Sequence, residues 1–284
     1  MLSLVFIVIA VFIYVEQEFF SISIYRTTTD KLSLNQGPLR VIQLSDLHAK
    51  RFGSSNQRLI QTILRLNPDM IVVTGDMVTS TDQDGKPFLE VAQALVSKCP
   101  IFYIEGNHEL TAKYDTLNKE NKWYDYYLQT LKEIGVCLLV NEKKKIMIDQ
   151  EEIMVYGLTV PLTYYHAVPS EISKQQSAQV EEDLSDVFPP VDKQSFNILL
   201  AHQPFLASLY EAYGFDQVYC GHVHGGVIRL PFLGGLLSPE RKFFPKYSEG
   251  IYQLGETKMI VSRGLGRFRL FNRPEIVVVE MTSQ

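Results

Sequence analysis

Five short clusters along the chain bring aspartate, histidine and asparagine together, most beside a glycine. They are Ser45-Asp46-Leu47-His48, Gly75-Asp76, Gly106-Asn107-His108-Glu109, His202-Gln203-Pro204 and Gly221-His222-Val223-His224. Asp46, His48, Asp76, Asn107, His202, His222 and His224 together offer two carboxylates, four imidazoles and one amide oxygen. That donor set suits borderline to hard divalent metals: manganese, iron, zinc, cobalt or nickel. Cysteine is missing from it, which disfavours an iron–sulfur cluster or a purely structural zinc. Seven groups exceed the needs of one ion, but with one aspartate bridging they give four ligands to each of two. Two carboxylates against two divalent ions leave surplus positive charge, suited to hydroxide and an anionic substrate. A pair of ions can clamp a phosphoryl group during in-line displacement. Any one cluster is common by chance, and the specificity lies in five of them in order.

Each cluster follows a run that reads as a strand. The runs are residues 41–44, 70–74, 101–105, 197–201 and 218–220. Helical spacing at 59–66 and at 88–96 separates the first three, an order that predicts parallel strands with crossover helices. Their uninterrupted apolar character agrees, because parallel strands are covered on both faces. In open α/β sheets ligands bind beyond the carboxyl ends of the strands, where all five clusters fall. Further helices are expected at 120–134, with Trp123 to Tyr127 as its core and rim, and at 170–187. Strands are expected at 20–24, 146–148, 153–156, 227–230, 251–254, 259–261 and 276–280.

At these clusters the chain resembles the calcineurin-like metallophosphoesterases, whose ordered motifs are D-x-H, G-D, G-N-H-[DE], H and G-H-x-H. The match spans about residues 40–225. It implies an α/β fold, an αββα sandwich of two mixed sheets flanked by helices. It also places Asp46, His48, Asp76 and His224 around one divalent ion. Asp76, Asn107, His202 and His222 then surround the other, and Asp76 bridges. His108 is implied to face the substrate, stabilising the transition state or protonating the leaving oxygen, with Glu109 orienting it. The implied activity is phosphoester hydrolysis by a metal-bridging hydroxide attacking in line.

Residues 262–266 and 270–275 are similar to the closing segments of membrane-anchored bacterial phosphodiesterases, a branch that includes hydrolases of UDP-diacylglucosamine. This favours a phosphodiester or diphosphate, lipid-linked or nucleotide-linked. Two features depart from the branch: only two residues separate Gly266 from Arg269, and residues 157–160 lack its acidic pair. The alternatives are a phosphomonoesterase with the same centre and a non-catalytic scaffold. The intact ligand set argues against the scaffold.

Residues 2–15 carry no charge. As a helix they would span about 21 Å, less than the ~30 Å hydrocarbon core of a bilayer. No Lys or Arg precedes Arg26 and no small-residue cleavage site follows, so the segment does not read as a signal peptide. It is expected to be a short anchor in the cell membrane, with the facing side open. The expected division is an anchor and lead-in strand over 1–25 and a metallophosphoesterase domain over 26–284.

Composition bounds the rest. With 46% hydrophobic and 21% charged residues the chain is globular, and a net charge of −5 disfavours a nucleic-acid-coating protein. Cys99, Cys137 and Cys220 form no CxxC pair and read as core thiols. The apolar stretch 230–237 reads as a packed loop or as a lip toward membrane or lipid substrate. Arg229, Arg241, Lys242 and Lys246 near it read as solvated charge or as contacts to phosphate or headgroups. His166 reads as a surface or loop residue.

Overall fold

The computed structural model describes residues 7, 11, 12, 14–117, 122–166, 185, 188–226, 228–230, 234–238, 243–267 and 269–284. The apolar runs beside the clusters form parallel strands β2 (Leu39–Leu44), β3 (Met70–Val73) and β4 (Ile101–Tyr103). With β1 (Ser21–Thr29), β5 (Cys137–Leu138) and β14 (Glu275–Ser283) they make a six-stranded sheet ordered β1-β14-β2-β3-β4-β5. β14 runs antiparallel to β2, so the sheet is mixed.

The second six-stranded sheet is built from β6 (Glu142–Ile148), β7 (Glu151–Leu158), β8 (Phe196–Ala201), β9 (Gln217–Cys220), β12 (Gly250–Leu254) and β13 (Thr257–Val261). Its order is β12-β13-β9-β8-β7-β6, parallel at the centre with an antiparallel pair at each edge. A separate two-stranded ribbon, β10 (Ile228–Leu230) and β11 (Gly234–Leu237), follows the last histidine cluster.

Three apolar layers hold the sandwich. Between the sheets, Val41, Val72 and Phe102 pack with Val155, Ile198, Leu200 and Tyr219. Outside the first sheet, helices α1 (Gln57–Leu66), α2 (Lys86–Leu95), α3 (Asn107–Leu117) and α4 (Trp123–Ile134) cover Ile42, Ile71 and Val73 with Leu59, Ile63, Phe88, Val91 and Leu131. Outside the second, the short α5 (Thr163–His166) and α6 (Ala207–Tyr213) bring Tyr165, Ala207 and Tyr210 against Leu199 and Val218. The helices follow local rules: Pro87 sits in the first turn of α2, and α4 stops at Gly135, whose φ of +103° suits glycine. Trp123, Tyr124 and Tyr127 are buried and Tyr126 is exposed, giving α4 the core and rim expected of it.

The first strand forms where expected and runs on to Thr29. The alternation at 20–24 reads as a half-buried strand, and β1 is one, but its exposed face is the one carrying Ile22 and Ile24. The polar face turns inward instead, because Ser21 donates to the Pro274 carbonyl and Ser23 to Glu275. Among the described residues no helix is long and apolar enough to cross a membrane. Most of residues 2–15 lie outside them, as does the expected helix at 170–187 apart from Ser185.

Candidate metal centre

The carboxyl ends of β2, β3, β4, β8 and β9 converge, and the chain turns sharply at each. Asp46, His48, Asp76, His222 and His224 all hold left-handed backbone, with φ between +48° and +70°. Such conformations are uncommon outside glycine and concentrate at functional sites. The neighbouring glycines permit the approach of one loop to another. A Cβ on Gly75 would lie 2.6 Å from the Gly106 nitrogen, and one on Gly221 would lie 1.9 Å from Ser45 Oγ.

Asp76 stands at the middle of the cluster. His108 donates its backbone N–H to Asp76 Oδ1 at 2.9 Å. Asp76 Oδ2 faces two imidazoles, 3.3 Å from His202 Nε2 and 3.9 Å from His48 Nε2. Asp46 accepts the His222 N–H at 3.2 Å and places Oδ1 3.4 Å from His224 Nε2 and 4.0 Å from His202 Nε2. Asn107 Oδ1 lies 3.1 Å from His202 Nε2. His202 Nδ1 donates to the Thr74 carbonyl at 2.6 Å, which aims Nε2 into the cluster and matches the outer-shell bond usual for metal-ligating histidines.

Three groups bring potential ligand atoms within 4.8 Å of one another: Asp46, His48 and His224; Asp76, His202 and His222; and His48, Asp76 and His108. The first two correspond to the expected division between two ions, and with Asn107 beside His202 the donor chemistry fits divalent metal.

The electrostatics show what the cluster does without that charge. Burial pushes the Asp46 carboxyl up, and the neighbouring Asp76 adds to it. Burial also opposes the charge on Asp76, but His202 outweighs it and holds that carboxyl well below the usual range. In return Asp76 and Asp46 overcome burial at His202 and hold its imidazolium up to about 10. Burial pushes His48 down to about 4 and His224 well below its ordinary value. A proton on His202 thus partly balances the two aspartates while His48 and His224 stay neutral, the form that binds metal.

Glu109 takes a different place from the one expected. Its buried carboxylate accepts the backbone N–H groups of Asp76 at 2.8 Å, Met77 at 2.7 Å and Gly106 at 3.0 Å, and the Tyr103 hydroxyl at 2.8 Å. It ties the loop after β3 to the loop after β4. The group beside His108 Nδ1 is the Ser80 N–H, 3.3 Å away.

Further contributors lie outside the five clusters, Arg269 and Asn272 in the chain's last fifth and Tyr165 in α5. Arg269 is buried behind the cluster with Nη2 3.3 Å from His224 Nδ1, and burial lowers its pKa to about 10. Asn272 donates to the carbonyls of His224 at 2.7 Å and Gly226 at 2.6 Å. Tyr165 sets its ring edge-on to His222, centroids 5.2 Å apart. None shares a cluster with a ligand; Arg269 lies 45 residues beyond His224. The one signal for Arg269 and Asn272 is their position in or beside the similar closing segments. Arg229 pairs with Glu249, and Lys246 lies over the Tyr247 ring. Arg241, Lys242 and the His166 side chain lie outside the described residues. Cys99 and Cys220 are buried and all three thiols are free.

The sandwich, with acidic and imidazole ligands at its strand ends, defines a metal-dependent phosphoesterase. Residues 39–226 match the calcineurin-like phosphoesterase family model, and the chain belongs to that family of phosphoric ester hydrolases. It is 29% identical over 86% of its length to the uncharacterized metallophosphoesterase YkuE of Bacillus subtilis, covering 79% of that protein. To phosphodiesterase YaeI of Escherichia coli it is 26% identical, over 87% of this chain and 83% of the relative. An uncharacterized metallophosphoesterase of Campylobacter jejuni is 28% identical over 87% of the chain, which spans only 60% of that relative.

Proposed function

We propose that the chain hydrolyses phosphodiesters or diphosphates at a two-ion centre, and that residues 2–15 hold it at the cell membrane. The observation that carries the first part is the position of Asp76 Oδ2 between His202 Nε2 and His48 Nε2. A carboxylate so placed can serve both ligand groups at once. Asp46, His48 and His224 would hold one ion; Asn107, His202 and His222 would hold the other. Bound divalent ions supply the charge that lowers the pKa of water and neutralises phosphoryl oxygens.

The chain's own groups do the rest. His108 accepts the Ser80 N–H at Nδ1, so the neutral ring carries its proton at Nε2. Through that N–H it can hydrogen-bond a leaving oxygen, or protonate it where the ring enters the reaction as imidazolium and leaves it neutral. Glu109 and Asp76 fix the His108 backbone against the loop after β3 and so set where the imidazole stands. The preference for a diester rests on the phosphodiesterase named among the relatives and on the closing segments.

The test uses the purified full-length chain with manganese. Turnover of bis-p-nitrophenyl phosphate is compared with that of p-nitrophenyl phosphate, with Asp76→Ala and His108→Ala as controls. Faster turnover of the diester, lost in both variants, is expected. Preference for the monoester would replace the substrate reading, full activity in Asp76→Ala would overturn the shared ligand, and inactivity with every divalent metal would favour a scaffold.

A further inference from the structure

Four phenylalanines stand in solvent on elements joined to the loop that carries His224. Phe12, Phe271, Phe244 and Phe243 expose 41%, 50%, 58% and 71% of their surface. Phe12 rests against Phe271, with ring centroids 5.7 Å apart. Leu270, the neighbour of Phe271, bridges to Ile228 of β10. β10 pairs with β11, Leu237 of β11 bridges to Phe243, and Phe244 donates to the Leu236 carbonyl at 3.0 Å. Three strand spacings therefore separate the two edges of this ribbon, roughly 14 Å at about 4.8 Å each. Asn272 fastens one edge to the His224 carbonyl, so the ribbon is built onto the ligand loop itself.

Exposed aromatic rings grouped in this way mark an interaction surface. Two observations select its occupant. One is charge: the cations Lys246 and Arg267 are exposed on the same two edge segments, and Arg241-Lys242 directly precede Phe243 in the sequence. The other is continuity: Phe12 belongs to the uncharged stretch 2–15, so the ring that meets Phe271 comes from the segment expected in the membrane. Rings that enter the headgroup boundary, flanked by cations that meet lipid phosphates, are the chemistry of an anionic bilayer surface.

We propose that the ribbon formed by Leu270-Phe271, β10, β11 and Phe243-Phe244 lies on anionic lipid beside the metal centre. The proposal rests on the reading that residues 2–15 attach the chain to a membrane. It adds a second, peripheral contact that brings the catalytic loops to the lipid surface.

The test reconstitutes the full chain into phosphatidylcholine vesicles with or without phosphatidylglycerol. Phe243→Trp adds one emitter to a chain whose native Trp123 is buried. Lipids brominated near the headgroup should quench the added emission in phosphatidylglycerol vesicles. Reversing Lys246 and Arg267 to Glu should weaken that contact by about 5-fold or more per charge. Turnover of a soluble ester should be unchanged in these variants, which shows that they fold. A chain that floats with vesicles while the added emission stays unquenched overturns the ribbon surface and leaves the attachment standing. Equal quenching in both vesicle types overturns the anionic contact. A full chain that does not float at all overturns the attachment, and the ribbon surface with it.

Discussion

The Nε2 atoms of His48 and His224 lie 3.3 Å apart, with their rings stacked at 12°. The two residues are 176 positions apart in the chain, yet both aim the same ring atom at Asp46 or Asp76. Burial keeps both rings neutral, so at most one of the two nitrogens can donate across the gap. A cation between the rings and the carboxylates satisfies all of them together. Metal removal is therefore expected to lower the melting temperature, and stoichiometric manganese to restore it.

In the metal-free chain His48 and His202 should give opposite pH limbs of stability that meet near pH 6.5, on which Glu109, held up to about 8 by burial, and Lys50, pushed down to about 7 by burial, superpose limbs of the opposite sign. His48 is held at about 4 in the fold against an ordinary 6.5, so the stability it contributes is present above 6.5 and lost as pH falls toward 4. His202 is held at about 10, so its contribution is present below 6.5 and lost as pH rises toward 10. Each limb should slope by at most ~1.4 kcal/mol per pH unit per proton. Thermal melts of chelator-treated protein across this range check the shape. An alkaline limb of the same slope in His202→Gln as in the parent would contradict the assignment for His202.

Asp76→Asn should cut turnover by at least ~100-fold and reduce bound metal, since it weakens both ligand groups where outer-shell changes alone cost 10–100-fold. Metal content by mass spectrometry, read beside turnover, separates this from a folding defect. A variant with full metal content and normal turnover would remove Asp76 from its shared position.

His108→Ala should slow turnover by ~10²–10⁴-fold while metal content stays near that of the parent, the range typical of a lost general acid. The loss should be smaller for an ester whose leaving group needs no proton, such as p-nitrophenol, than for an alkyl ester. An equal loss on both esters would point away from proton donation.

Glu109→Ala should act through stability. It leaves four backbone N–H groups without their acceptor, at about 1–3 kcal/mol for each buried group left unmet. The melting temperature and metal affinity should fall together, and Glu109→Gln should recover part of both. Unchanged melting with an altered pH–rate profile would instead return Glu109 to the role of orienting His108.

The gathering of Asp46, His48, Asp76, Asn107, His202, His222 and His224 was legible because each sits next to a strand whose apolar run announces it. A cluster after Val73 or Cys220 must fall at a sheet edge, and parallel order brings those edges together. The role of Glu109 was not legible. Adjacency to His108 suggests a pair, but at the start of α3 consecutive side chains diverge, and the carboxylate turns to the backbone of Asp76 and Met77. β1 was legible in part: its period of two is plain, but which face turns inward depends on Pro274 and Glu275, more than 250 positions away. Arg269 and Asn272 reach the centre from a loop without regular structure, where no periodicity points the way.

The pairing of β1 with β14 runs unbroken from Ser21 beside Glu275 to Thr29 beside Ser283, and β14 itself separates β1 from β2. β1 therefore has no strand neighbour until β14 has been made. At about 5–20 residues per second that delay is on the order of 10–50 s for the ~250 residues between them. β1 stays unpaired for that interval and is drawn onto the sheet only once residues 275–283 have been made. A chain truncated after Asn272 should accordingly keep residues 21–29 open to protease while β2, β3 and β4 are protected.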